Sequence, residues 1–281
     1  MSTGQILLLG AIAGLTIFIG LPFGRMRRTD PRVQAALCSL ATGILIFLFW
    51  DVLTNGVEPV ENALDSAAHD GGSWGVFLGR ASLLTVGFVV GVMGLVYYDR
   101  WVKSRRRSPF VGPGAAAVDE FVSRHWYETL TPGRQLALLI AIGVGVHNFG
   151  EGLAIGQSAA AGDVALALTL IIGFGLHNAT EGFGIVGPLG GEADPPSWRF
   201  LLLLGLIGGG PTFLGTVVGQ AWVSEAVSIA FFAVAAGSIL YVVQQLFGVI
   251  RRFEHPTLVM WMVVAGVVLG FATDFVLDAV K

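Results

Sequence analysis

Eight runs of mostly apolar residues divide this chain, each close to the ~20 residues that a helix needs to cross a bilayer core. They constrain the fold more than any other feature. Hydrocarbon offers no water to backbone N–H and C=O groups, so an apolar run must satisfy its own backbone, as a helix does. The runs lie at about residues 5–24, 33–54, 75–98, 135–157, 163–187, 200–222, 226–250 and 257–280. Only 12% of the residues are charged and 54% are hydrophobic, where a soluble domain carries about 25% charged residues. Gly is unusually abundant, which suits close helix packing in lipid. The expectation is an all-α polytopic membrane protein with eight transmembrane helices, residues 1–281 forming one integral membrane domain. Residues 99–134 are expected to form a loop between helices 3 and 4. No basic residue precedes the first run, so it reads as a retained membrane helix rather than a cleaved signal peptide. The single cysteine, Cys38, rules out an internal disulfide and any cysteine-based zinc cluster.

The connecting segments alternate in charge. The odd ones hold Arg25, Arg27, Arg28 and Arg32, then Arg100, Lys103, Arg105, Arg106, Arg107, Arg124 and Arg134, then Arg199, then Arg251 and Arg252. These make up 14 of the 16 Lys and Arg residues, with Arg80 and Lys281 as the exceptions. The positive-inside rule therefore places the odd segments in the cytoplasm and both termini outside. Residues 55–73, with Glu58, Glu61, Asp65, His69 and Asp70, read as an acidic external loop. Residues 117–127 read as a short surface helix inside the basic third segment. That segment suits anionic headgroups, and no nucleic-acid partner is needed to explain it.

One internal repeat carries the chemistry. Ile142-Gly143-Val144-Gly145-Val146-His147-Asn148 and Ile172-Gly173-Phe174-Gly175-Leu176-His177-Asn178 match at Ile, Gly, Gly, His and Asn, and the match resumes at Glu151/Glu181 and Gly152/Gly182. Positions i and i+4 share a helix face, so each run points a histidine and a carboxylate the same way. Ionisable groups at mid-membrane cost at least ~2.5–3.5 kcal/mol and are functional candidates by default. A divalent cation would balance the two carboxylates while the imidazoles give neutral nitrogen donors, a set that Zn²⁺ accepts in a tetrahedron. Asn148 and Asn178 add carbonyl oxygens that could define a second, more oxygen-rich position. Asp51, in helix 2, could line the path inward. The bland alternative is helix glue, which does not explain why both helices carry both polar types at matching positions.

These two motifs in helices 4 and 5 resemble the ZIP (Zrt/Irt-like protein) family of divalent-metal transporters, bacterial type. The resemblance implies eight membrane helices with both ends outside and net metal uptake by an elevator-like motion of the helix 4/5 block. By resemblance, His147, Glu151, His177 and Glu181 would ligate a first metal, with Asn148 and Asn178 joining the carboxylates at a second. The chain departs from the family pattern in three places. Gly150 and Thr180 stand where the family often has Pro before the Glu. In helix 6 no acid occurs in Gly208-Gly209-Gly210-Pro211-Thr212, and Thr212 occupies the place of a bridging carboxylate.

The sequence therefore points to a transporter carrying divalent transition-metal ions, zinc first and Fe²⁺, Mn²⁺, Co²⁺ or Cd²⁺ as alternatives. Ligand type alone does not choose among these ions. The ion is cargo, no organic cofactor is implied, and the absence of a Walker motif argues against an enzyme of nucleotide hydrolysis. The expected setting is the cell (inner) membrane, with the lipid bilayer and metal ions as partners and a homodimer among the assemblies this allows. The competing class is an intramembrane metal-dependent hydrolase, which would also need an open metal position and a general base; His-Glu-x-x-His and paired Asp motifs are absent.

Overall fold

The computed structural model describes residues 2–26, 30–104, 126–162, 164–190, 192, 194–222 and 224–280. Among them all regular structure is helical, and eight helices are long and apolar enough to cross a membrane. They are α1 (Thr3–Leu15), whose span is completed by 3-10 turns reaching Arg25, α2 (Pro31–His69), α3 (Trp74–Ser104), α4 (Pro132–Ala160), α5 (Val164–Val186), α6 (Trp198–Ala221), α7 (Glu225–Ile250) and α8 (Pro256–Val280). Side chains start several of them. Asp30 and Thr131 cap α2 and α4 ahead of Pro31 and Pro132, and Ser197 caps α6 through the Phe200 N–H, each filling an orphan donor of the first turn.

Three boundaries differ from the sequence reading. First, α2 does not stop near Thr54 but continues through the acidic segment to His69. Gly56, Val60, Ala63 and Ala67 are buried, at helical spacing, while Glu58, Glu61 and Asp65 are exposed. The supposed loop is thus an amphipathic helical overrun, and only residues 70–73 turn the chain. Second, α1 gives way at Thr16 to short 3-10 turns spanning Thr16–Ile19 and Leu21–Arg25. The Ala13 carbonyl there accepts from Thr16 Oγ1 at 2.7 Å and from Asn178 Nδ2 at 3.1 Å, two donors that compete with the helical ladder. Third, the segment between α3 and α4 is shorter at both ends than 99–134. The surface helix expected at 117–127 lies almost wholly outside the described residues, and Trp126–Thr129 is one 3-10 turn.

The helices alternate in direction and sort into two groups by packing. In one, α4 lies along α6 in the most extensive contact of the molecule, with α1 and α5 against them. In the other, α2 packs on α7 and α8, and α3 on α7. Contacts between α4 and α7 and between α2 and α5 join the groups. Connections after α1, α3, α5 and α7 share one end, here the basic end, and those after α2, α4 and α6 share the other, the acidic end.

Each group has its own charged tie. At the basic end Arg134 pairs with Glu192 at 3.1 Å and donates to the Asp194 carbonyl at 3.0 Å, while Arg25 donates to the Pro196 carbonyl at 2.6 Å. These bonds fasten α1 and α4 to the segment between α5 and α6. At the acidic end Arg80 of α3 pairs with Glu225 at the start of α7 and donates to the Pro59 carbonyl of α2 at 3.0 Å.

The α4/α6 contact depends on missing side chains. A Cβ at Gly152 would stand 2.0 Å from the Thr212 carbonyl oxygen, and one at Gly215 would stand 2.1 Å from the Phe149 carbonyl oxygen. The backbones touch, as small residues in membrane helices permit. By contrast α3 and α8 are the least buried spans. They turn Leu78, Val86, Val90, Met260, Val264 and Val268 outward, an apolar expanse that a water-soluble chain rarely shows.

Gly152→Ala is expected to force α4 and α6 apart and destabilise the detergent-solubilised protein by about 1–3 kcal/mol, the usual range for overpacking. Gly210→Ala, where nothing lies within 4 Å of the added Cβ, is expected to be neutral or slightly stabilising. Thermal unfolding of the two variants side by side checks the contrast.

Candidate metal centre at the α4/α5 repeat

Both copies of the repeat sit on unbroken helix. α4 runs through Gly150 and α5 through Thr180, so neither residue interrupts the i, i+4 register that places His and Glu on one face. His147, Asn148, Glu151, His177, Asn178 and Glu181 are all buried, none more than 7% exposed.

The structure brings four of them into direct contact. His147 Nε2 stands 3.1 Å from Glu151 Oε1 on its own helix and 3.6 Å from Glu181 Oε1 across on α5. Asn148 Nδ2 donates to Glu181 Oε2 at 3.3 Å and to the Gly208 carbonyl of α6 at 3.0 Å. The other two stand differently. Asn178 donates to the Ala13 carbonyl of α1, and His177 meets Phe47 ring to ring, at 6.0 Å between centroids.

Many polar atoms here are left over. Both nitrogens of His147 and of His177, both oxygens of Glu151, Oε1 of Glu181, Oδ1 of Asn148 and of Asn178, and Oγ1 of Thr212 lack a hydrogen-bond partner. The His147 contacts are close enough for ion pairs but do not have hydrogen-bond alignment. Buried polar groups are nearly always paired, and each exception calls for an account. The two asparagines have assignable orientations: each nitrogen donates to a helical carbonyl, so each oxygen is the atom without a partner.

Helix α6 prepares the Asn148 contact. Pro211 cannot donate to the carbonyl four residues back, that of Ile207, and this carbonyl oxygen would lie 2.2 Å from a Cβ on Gly145 of α4. The next carbonyl, Gly208, receives the Asn148 amide. The Gly208–Pro211 stretch, which suggests a flexible point, is instead continuous helix within Trp198–Ala221. Thr212 sits fully buried there with its hydroxyl oxygen unpaired.

A cavity of about 350 Å³ lies over the cluster. His147, Glu151 and His177 line it, as do Asp51 and Asn55 of α2 and Asp274 of α8. Asn55 is exposed, so the cavity reaches the surface toward the acidic end. Asp51 lies along it, with Asn55 Nδ2 at 2.9 Å from its carbonyl oxygen and 3.3 Å from Oδ1. Asp274, an acid that the sequence places near the outer end of helix 8, and Phe47 also belong to the cavity wall. The available signal for Asp274 was an acid within an apolar run; Phe47 had none, since one aromatic among apolar neighbours is unremarked.

Toward the basic end the two helix groups are in contact. There α5 lies on α2, Gly184 against Ala41 and Gly187 against Cys38. Beyond this contact a smaller cavity of about 180 Å³ is lined by Arg25, Gln34, Cys38, Phe183 and Glu192 among others.

Zinc bonds of ~2.0–2.2 Å at the tetrahedral angle hold neighbouring ligand atoms about 3.3–3.6 Å apart; the His147–Glu181 separation of 3.6 Å falls in that range, and the His147–Glu151 separation of 3.1 Å is shorter. Both separations share His147. Among the described residues no group of three or more His, Cys, Asp and Glu side chains is assembled to hold a metal ion. The arrangement is thus a set of buried, partly unpaired N and O donors around His147, with His177 across the same cavity.

No model of a known protein family matches the chain, and no curated protein does.

Unpaired buried carboxylates destabilise a fold. Glu151→Met is expected to raise the unfolding midpoint of the metal-free protein, by about 1–3 kcal/mol in stability. Added Zn²⁺ is expected to raise the midpoint of the wild type and not that of the variant. Differential scanning fluorimetry with and without the ion reads both effects.

Proposed function

We propose that this chain is a membrane transporter of the ZIP type that carries divalent transition-metal ions, zinc first, into the cytoplasm. The observation that carries the reading is the cluster of buried, largely unpaired donors of His147, Glu151 and His177, with Glu181 behind them, beside a cavity that reaches toward the acidic end. Such atoms are costly in hydrocarbon unless a guest satisfies them. A doubly charged ion offset by two carboxylates is the guest whose chemistry they fit.

The charge distribution supplies the direction. The basic end carries most of the arginines and lies in the cytoplasm by the positive-inside rule, leaving both termini and the cavity mouth outside the cell (inner) membrane. An ion entering there meets Asp51 and Asp274, then the donors at the floor. Small rotations of Glu151, Glu181 and His177 would close a shell that their present positions leave open. Asn148 and Asn178 present oxygens close by, and Thr212 stands where a stronger ligand would complete a second position. The binding set contains no thiolate, so the ion is held by groups that can also release it.

Release requires the α2/α5 contact at Gly184 and Gly187 to part. The separate ties at Arg134 and Arg80 leave each helix group fastened within itself, which supports a movement of one group against the other. Metal binding displaces protons from histidine and carboxyl groups, so uptake would alter the proton load of the site.

Reconstituted into proteoliposomes, the protein is expected to take up Zn²⁺ saturably. Glu151→Ala and Glu181→Ala are each expected to reduce uptake to the level of empty vesicles. Competition by Fe²⁺, Mn²⁺, Co²⁺ and Cd²⁺ ranks the cargo. Turnover of a lipid or peptide substrate without ion flux would overturn the reading in favour of a hydrolase.

A further inference from the structure

The two histidines of the repeat are alike in sequence and unlike in what holds them. His147 has a carboxylate on either side of Nε2, at 3.1 Å and 3.6 Å. Neither nitrogen of His177 has a hydrogen-bond partner. The second torsion of a histidine is broad and roughly two-fold, so a ring with no polar partner needs another restraint if it is to present one nitrogen in a fixed direction.

Phe47 is placed to provide it. Its ring meets the His177 ring at 60°, with centroids 6.0 Å apart; this edge-on arrangement is the one aromatic pairs prefer. Phe47 is itself immobilised. It is 2% exposed, and Phe271 of α8 packs edge-on against its other side at 4.9 Å. Behind it lies Gly270, where a Cβ would come within 2.4 Å of the Phe47 ring carbon Cγ. The ring therefore has no room to retreat toward α8. Both rings line the cavity over the cluster.

We propose that Phe47 is a positioning residue for the metal-binding step: its ring, backed by Gly270 and Phe271, fixes the His177 imidazole in the orientation from which it binds the ion. The proposal rests on the transport reading above. It also gives the contact a second consequence. Phe47 belongs to the α2/α3/α7/α8 group and His177 to the α1/α4/α5/α6 group, so the restraint exists only while the groups stand as they do here. Movement of α5 along α2 would free the imidazole and loosen the ion as the cavity changes sides.

The test uses the full-length protein in detergent, with Co²⁺ as a visible-absorbing probe and Zn²⁺ as competitor. Phe47→Leu keeps an apolar side chain and removes the ring; Kd for Co²⁺ is expected to rise about three- to tenfold, the worth of one aromatic pair. Phe47→Tyr keeps the ring and is expected to bind like the wild type. In a His177→Ala background, Phe47→Leu is expected to produce no further loss, because the two residues act as one unit. A readout without metal accompanies these: in protein labelled at histidine, the His177 ring resonance, assigned by its loss in His177→Ala, is expected to shift in Phe47→Leu and not in Phe47→Tyr. An equal loss of affinity in both backgrounds, or an unmoved His177 resonance in Phe47→Leu, overturns the proposal alone. Failure of the wild type to bind Co²⁺ or Zn²⁺ overturns the transport reading and the proposal together.

Discussion

Hydrocarbon gives a polar atom nothing to bond to, and this governs every part of the molecule. Backbone groups meet the condition by winding into helices. Most polar side chains within the spans meet it by bonding to a nearby carbonyl, as Thr42 does to Cys38, Thr216 to Thr212 and Ser238 to Gly143. Arg80, Arg134 and Arg25 meet it at the ends of the bundle, where each holds a carbonyl oxygen. The repeat on α4 and α5 is where the condition is met least. Its imidazole and carboxylate atoms are buried with donors and acceptors to spare, although Thr169 and Thr180 of α5 each donate to a carbonyl of their own helix. Ser39, Thr212 and Gln220 also leave an atom unpaired, but among the described residues such atoms concentrate at the two sites that repeat in sequence, and the transport reading accounts for that concentration.

The number of spans and the positions of both motifs were legible because each depends on information local to one helix. Hydropathy marks a run that lipid will tolerate, and i, i+4 spacing puts His147 with Glu151 and His177 with Glu181 without knowledge of any neighbour. The overrun of α2 was illegible to the same reasoning. Hydropathy falls at Asn55 because the chain leaves the apolar layer, not because the helix ends. The relevant signal was different: Gly56, Val60, Ala63 and Ala67 form a stripe of period three to four, overshadowed by the acids between them and by Pro59. The α1 break was illegible for another reason. One of its two causes is Asn178, which is far away in sequence.

The same distinction explains what the site kept hidden. That Asp51 faces the cavity followed from one acid in an apolar helix, and Asp274 could have been found the same way. The contact of Phe47 with His177 could not, because it requires α2, α5 and α8 to meet with Gly270 open behind the ring. The lack of proline at 150 and 180 left helix bending undecided in the sequence; the helices are continuous, and the proline that shapes the site is Pro211 on α6. It turns a carbonyl toward Gly145 and stands three residues beyond the carbonyl that Asn148 binds. The sequence shows Pro211 in helix 6, but only the packing of α6 on α4 shows that it stands beside Gly145 and Asn148.

An internal repeat suggests a symmetrical site, but tertiary packing breaks the symmetry. Asn148 reaches α6 and Glu181, whereas Asn178 reaches α1. His147 lies between carboxylates, and His177 lies against an aromatic ring from the other helix group. Within the transport reading the two halves then differ in kind. The His147 half is assembled from α4, α5 and α6, all in one group, and travels intact when that group moves. The His177 half depends on a surface that stays behind. Affinity for the ion is thereby tied to the relative position of the groups, which is the property a carrier needs in order to load on one side and unload on the other.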